Sequence, residues 1–289
     1  MARNYKSASK VCTYWITALS VLFSNLEHIA KTDGNINLTQ SLVLLTISIC
    51  KNPMKIGDVG RILDLKANTT TAALNNLEGL GLVKRERSDR DRRETFVSPT
   101  KAGKTLSHDV EQKFIDYIDK FIAEYLPDER SHFIDIIMEH ATLSPLLDTC
   151  EDKSSSTVII FFMRRMYLEF SYYLRRIGVN LVEARILLFC NFSEGTETLS
   201  EIGSTLFLHQ NMLSTAVNSL AKKGLIDKKV SEQDSRASHI TLTTAGKELV
   251  RKIADTSKSY LDRQGFDTKR ASQLAERLKD IDVFPLSYL

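Results

Sequence analysis

The chain contains itself twice, and that constrains its fold more than any other feature. Shifting the sequence by 143 positions aligns about seventy residues without a gap. "KIGDVGRILDLKANTTTAALNNLEGLGLVKR" then falls on "TLSEIGSTLFLHQNMLSTAVNSLAKKGLIDK", and "SDRDRRETFVSPTKAGKTL" falls on "SEQDSRASHITLTTAGKEL". About twenty positions are identical, among them Gly60/Gly203, Asn68/Asn211, Asn75/Asn218, Gly81/Gly224, Asp91/Asp234 and Arg93/Arg236. The expected organisation is therefore two tandem repeats, 1–150 and 151–289, with the polar "EDKSSS" (Glu151 to Ser156) as the seam.

Both repeats follow one plan. A long apolar helix, carrying Trp15, Leu19, Leu22, Phe23, Leu26 and Ile29 in the first repeat, precedes a helix that is apolar almost all round, "SLVLLTISI". A short amphipathic helix follows, with Ile56, Val59, Ile62 and Leu63 at helical spacing. After a tight corner comes a helix over Lys66 to Leu80 that should bury Ala73, Leu74, Leu77 and Leu80. Gly81 stops that helix, because glycine enters the left-handed region without steric cost. "LVKRER" and "ETFVS" read as strands around a charged turn, and Gly224, "LIDKKV" and "SHITL" repeat them. Two further helices close each repeat, over Thr100 to Tyr125 and Asp128 to Leu147, then Thr243 to Arg263 and Asp267 to Lys279. The fold class is mainly α with small β-wings: two winged helix-turn-helix units in a helical frame. Five prolines and twelve glycines in 289 residues suit such long helices.

The second helix of such a unit lies in the major groove with its N-terminal residues against base edges. Here that end offers Lys66, Asn68, Thr69, Thr70 and Thr71, then Asn75. In the second repeat it offers His209, Gln210, Asn211, Ser214 and Thr215, then Asn218. Asparagine bonds adenine bidentately, and threonine offers a hydroxyl or a methyl contact to thymine. The bland alternative is that these residues only cap or solvate the helix start.

The ribbon tip holds Arg85, Arg87, Arg90, Arg92 and Arg93 among acids, with Asp91 placed to orient a guanidinium. Arginines on a thin ribbon suit the narrow, negative minor groove of A/T-rich DNA. The second ribbon carries Lys228 and Arg236 with Asp234 as the orienting acid. Its patch "DKKVSEQDSR" is neutral, whereas "KRERSDRDRR" is about +3. The whole chain is only +3, so any nucleic-acid role rests on local patches.

The wing residues Asp91, Arg92, Arg93, Phe96, Val97, Thr100, Gly103 and Lys104 resemble the signature of the MarR family of bacterial regulators. Asp234, Arg236, Ile240, Leu242, Thr243, Gly246 and Lys247 match it again, with Ser235 in place of Arg92. The resemblance implies a dimeric architecture with one winged helix per operator half. Two repeats in one chain are then similar to a fused dimer, a layout like that of tandem Sar-type regulators. What it implies is a monomeric chain with an internal pseudo-two-fold that binds double-stranded DNA at an imperfect palindromic operator. Repression, and release by a small-molecule effector, are the implied role. Aromatics that could line an effector site are Tyr14, Trp15, Phe161, Phe162, Tyr167, Tyr172 and Tyr173, although such residues on frame helices are more often interface core.

Other classes find less support. The four cysteines are dispersed (Cys12, Cys50, Cys150, Cys190), which fits a reducing cytoplasm and not a disulfide framework. Cys12 has Ser155 as its repeat equivalent and no resolving partner, so an inert, partly buried thiol is expected. The histidines show no i, i+4 ligand pair, so no metal is expected, and no cofactor. Phosphate loops and nucleophile elbows are missing, so the chain is not read as an enzyme. No stretch reads as a signal peptide, and Arg164 and Arg165 break the most apolar run well short of a membrane span. The alternative function is a winged-helix protein-interaction module.

Overall fold

A computed structural model describes residues 2–50, 52–87, 94–125, 131, 155–193, 198–230 and 238–263. The first repeat comprises α1 (Ala2–Gly34), α2 (Leu38–Ser48), β1 (Met54–Lys55), α3 (Ile56–Ile62), α4 (Ala67–Gly79), β2 (Val83–Arg87), β3 (Thr95–Pro99) and α5 (Lys101–Tyr125). The second comprises α6 (Ser155–Arg176), α7 (Leu181–Phe192), α8 (Leu199–Thr205), α9 (Gln210–Lys222), β4 (Ile226–Val230), β5 (Ser238–Leu242) and α10 (Thr244–Arg263). The closing helices expected over Asp128 to Leu147 and Asp267 to Lys279 lie outside the described residues.

Packing does not respect the seam. One compact unit gathers Met1–Leu22 with Tyr167–Tyr288, and the other gathers Phe23–Met166 with Leu289. The divisions fall inside α1 and inside α6, so each unit borrows part of the other repeat's first helix. In the first-named unit, Thr17 of α1 accepts from Arg185 Nε of α7 at 3.3 Å. Tyr260 of α10 donates to Glu169 of α6 at 3.2 Å. In the other unit, Asn25 of α1 donates to the Tyr117 hydroxyl of α5 at 2.8 Å, and α2 packs on α4 and α5. Leu26, Leu45, Leu74, Leu77, Val97, Phe114 and Phe121 form its core, each at most 2% exposed.

The repeated residues recur as repeated geometry. Asn37 and Asn180 are the N-caps of α2 and α7, each closed into a capping box, by Gln40 in one and Glu183 in the other. The helix-turn-helix corners turn through non-glycine residues in the left-handed region, Asp64 (φ 50°) and Phe207 (φ 51°). Gly81 and Gly224 (φ 70° and 68°) end α4 and α9 as expected. Leu82 N–H bonds Leu77 O while Gly81 N–H bonds Glu78 O, which is the two-bond Schellman closure, and Leu225 and Gly224 repeat it.

The motif T-x-x-G now has a cause. Thr100 Oγ1 donates to Gly81 O at 2.7 Å and accepts from Gly103 N–H at 3.0 Å. Thr243 does the same with Gly224 and Gly246, at 2.8 and 3.0 Å. One hydroxyl thus caps the helix after the wing and clamps it to the end of α4, or of α9 in the second repeat. Gly103 and Gly246 lie so close to the Leu82 and Leu225 carbonyls that a Cβ would collide with backbone.

The wing of the first repeat is a three-stranded sheet in the order β1-β3-β2, with Met54 opposite Val97 and Arg85 opposite Val97 on the other side. Strand β1 was not legible in the sequence, since two residues carry no period. In the second repeat β4 pairs β5, and the third strand is reduced to a bridge between Thr198 and His239. Leu80, expected in the core, is 48% exposed, because it is the C-cap residue where the helix has already turned away.

Cys12 is 5% exposed, and burial pushes its thiol up to about 11, an effect that a hydrogen bond with Ser257 only partly offsets. A thiol this protonated at neutral pH is a poor nucleophile. Cys190 is equally enclosed, whereas Cys50 is half-buried and Cys150 lies outside the described residues. Native protein treated with iodoacetamide should therefore carry no label on Cys12 or Cys190, and both should label after unfolding. Peptide mass analysis reads this directly; rapid native labelling of Cys12 would contradict it.

Candidate nucleic-acid interface

The N-terminal turns of α4 and α9 present the same outward face. Lys66, Asn68, Thr69, Thr71 and Asn75 are exposed on the first, and His209, Gln210, Asn211, Ser214, Thr215 and Asn218 on the second. The inward face of α4 is Thr70, Ala73, Leu74 and Leu77, and that of α9 is Leu213, Ala216, Val217 and Leu220. Capping does not explain the polar run. The N-cap positions are Lys66 and His209, neither of which makes a side-chain cap bond, and the asparagines lie beyond them. Neither first turn holds an acidic residue, so the positive ends of both helix dipoles are left uncompensated, as suits a phosphate-rich partner.

Thr70 is a correction. It was expected among the DNA-reading residues, yet it is 1% exposed, and its Oγ1 donates to Lys66 O at 3.2 Å. It packs against Gly60, where a Cβ would come within 2.9 Å of that oxygen. Its repeat equivalent, Leu213, is equally buried and faces Gly203. The apolar partner in the second repeat was the available signal that this position belongs to the corner's core.

The ribbons divide differently from expectation. Arg85 is half-buried, with its Nε 3.6 Å from the Glu78 carboxylate, so it lies along the C-terminal half of α4, away from the polar N-terminal turn. Lys84 pairs with Glu86 at 2.6 Å, and Lys55 with Glu94 at 2.5 Å. Arg87 and Lys228 are exposed on β2 and β4. Arg90, Asp91, Arg92 and Arg93, with Asp234 and Arg236, lie outside the described residues.

Two buried charged side chains among the described residues carry no signal in the sequence, and both are in the second repeat. Glu183 is 2% exposed and bonds Lys223 Nζ at 2.7 and 2.8 Å and the Ser219 hydroxyl at 2.6 Å. Burial pushes its carboxyl up, but Lys223, Ser219 and the Asn180 amide together hold it below the ordinary glutamate value. The equivalents of Glu183, Ser219 and Lys223 are Gln40, Asn76 and Leu80, so the tie between α7 and α9 belongs to one repeat. Arg185, 3% exposed, bonds Thr17 and the Leu206 carbonyl at the end of α8. Burial lowers its pKa to about 10, which leaves it charged at neutral pH, and its repeat equivalent is Leu42.

Of the aromatics considered for an effector site, Tyr172 and Tyr173 meet edge to face, with ring centroids 6.1 Å apart. Phe161 and Phe162 are buried, Tyr167 and Tyr173 are half-buried, and Tyr172 is 60% exposed beneath Arg176. The side chains of Tyr14 and Trp15 lie outside the described set. Among the described residues no group of three or more His, Cys, Asp or Glu is placed to hold a metal ion. No helix among them is long and apolar enough to cross a membrane.

Comparison with known proteins gives each repeat its own match. Residues 37–103 match the winged helix DNA-binding domain, and residues 177–237 match the MarR family. An uncharacterized HTH-type transcriptional regulator of Bacillus subtilis (strain 168), YwhA, is 28% identical over 86 residues, which are 30% of this chain and 62% of that protein. The structure of reduced AbfR bound to DNA is 34% identical, covering 40% of this chain and 85% of that one, with TM-score 0.31. The MepR–DNA complex of S. aureus is 22% identical, covering 45% and 96%, with TM-score 0.36. With a winged helix matched in each repeat, and with the T-x-x-G part of the wing signature explained in both, the chain belongs to the MarR family of winged-helix transcriptional regulators.

Proposed function

We propose that the chain binds double-stranded DNA sequence-specifically as a single-chain pseudo-dimer built from repeats 1–150 and 151–289, and that it represses transcription until a small-molecule effector releases it. The observation that carries this reading is the matched pair of outward asparagines, Asn68 with Asn75 and Asn211 with Asn218, on the exposed faces of α4 and α9. Buried neighbours fix those faces outward, and amide side chains there suit adenine edges. MepR and AbfR, named above in complexes with DNA, support the partner class.

The two lobes should not contribute equally. Their ribbons differ by about three charges, and their reading residues differ at Lys66/His209, Thr69/Met212 and Ala72/Thr215. A fused duplicate is free to read two different half-sites, so the operator should be an imperfect palindrome with centres about one helical turn apart.

The test is a mobility shift on the DNA beside the gene, over a range of salt. Asn68→Ala and Asn211→Ala should each relax base preference in one half-site, at about 1–3 kcal/mol for a lost bidentate contact. Arg93→Ala should lower the salt slope by about one phosphate's worth, roughly 0.9. Wild-type affinity in all three variants would remove these faces from the interface and favour a protein-docking role. Sedimentation should show one chain's mass when DNA-free.

A further inference from the structure

Three large hydrophobic side chains are exposed among the described residues: Leu80, Tyr172 and Met212. Leu80 caps the far end of α4, and Tyr172 lies under Arg176. Met212 alone stands on the first turn of a recognition helix. It is 46% exposed, one residue after Asn211 and three before Thr215.

Residues three apart share a helix flank, so Met212 and Thr215 form one patch beside the Asn211–Asn218 row. Helical side chains lean toward the N-terminus, which carries the Met212 thioether toward the end of α9 that reads bases. The patch presents few donors. Methionine has none, and the Thr215 hydroxyl proton is committed to Asn211 O at 2.8 Å. The opposite lobe places Thr69 and Ala72 at these positions. An unbranched, polarizable side chain without a donor suits an apolar group on the base edge, and in the major groove that group is the C5-methyl of thymine.

We propose that Met212 reads a thymine methyl in the second lobe's half-site, making one position there a T·A preference set by apolar contact. The inference rests on the DNA-binding reading above and names what its second lobe selects.

The experiment uses the full chain and the duplex it protects in a footprint, synthesised with thymine or with uracil at every T. Uracil keeps the Watson–Crick and groove hydrogen-bonding groups and lacks only the methyl. Wild-type protein should bind the uracil duplex about four- to fifteenfold more weakly, the effect of one or two buried methyl-sized contacts. M212Q preserves chain length and helix propensity at an exposed site, and it should lose most of that discrimination. Equal affinity of wild type for both duplexes would overturn the inference while leaving the DNA-binding reading intact, as would full discrimination retained by M212Q. Failure to protect any DNA would overturn both.

Discussion

Gly246→Ala is expected to unfold the second wing's junction with α10, at a cost of about 3 kcal/mol or more. The added Cβ would meet the Leu225 carbonyl, which is backbone and already accepts from Thr243 N–H at 3.2 Å. No rotamer change relieves a clash with backbone, so either β4 or the first turn of α10 must move. Moving either breaks the Thr243 clamp on Gly224. Gly103→Ala should do the same in the first repeat through Leu82. Gly57→Ala and Gly79→Ala are the controls. A Cβ at either meets nothing within 4 Å, both sit in helices, and alanine there should be neutral or stabilise by up to about 1 kcal/mol. Urea unfolding of the four variants reads the contrast. Equal stability of Gly246→Ala and Gly57→Ala would mean that the close approach is not what the signature glycine serves.

Glu183→Gln should weaken the attachment of α9 to α7 by about 2 kcal/mol. Breaking a fully buried pair costs about 3–5 kcal/mol, but Lys223 is 38% exposed on its side chain and can turn to water, which lowers the figure. The loss should depend on pH. The folded-state pKa of Glu183 is depressed below the unfolded glutamate value of about 4.3, so the pair's contribution is complete above that value. It disappears as pH falls through the folded pKa. Wild type and Glu183→Gln should therefore differ at neutral pH and converge under acid. Hydrogen exchange in Gln210–Lys222 localises the effect, and Gln40→Ala in the first repeat, where no ion pair stands, should show no such pH dependence. A difference that persisted unchanged under acid would assign the loss to packing instead of charge.

Arg185 shows why such features are hard to read in one dimension. It sits in "LVEARILLFCNF", where periodicity shows an apolar helix and a lone arginine looks like a residue at the helix edge. Only the approach of Thr17 from α1 and the Leu206 carbonyl from the corner makes it a buried tie. Glu183 and Lys223 are forty residues apart, and at helical spacing Glu183 meets its capping residue Asn180 and no lysine. Thr70 misled for the opposite reason. Its residue type suits a base contact, and its inward direction follows from the phase of α4 against α2 and α3.

Local rules and the repeat together determined much of the molecule. Hydrophobic period, the glycine stops at Gly81 and Gly224 and the alternating wing strands depend on residues within a few positions of each other, so a single chain read twice exposes them. The outward asparagines follow from the same phase. The exchange of helix ends between the packing units, the Glu183–Lys223 pair, and the close backbone approach at Gly103 and Gly246 were decided by tertiary structure alone. Each depends on which distant segment arrives opposite a residue, and that is set by how helices pack and not by the spacing of residues along the chain.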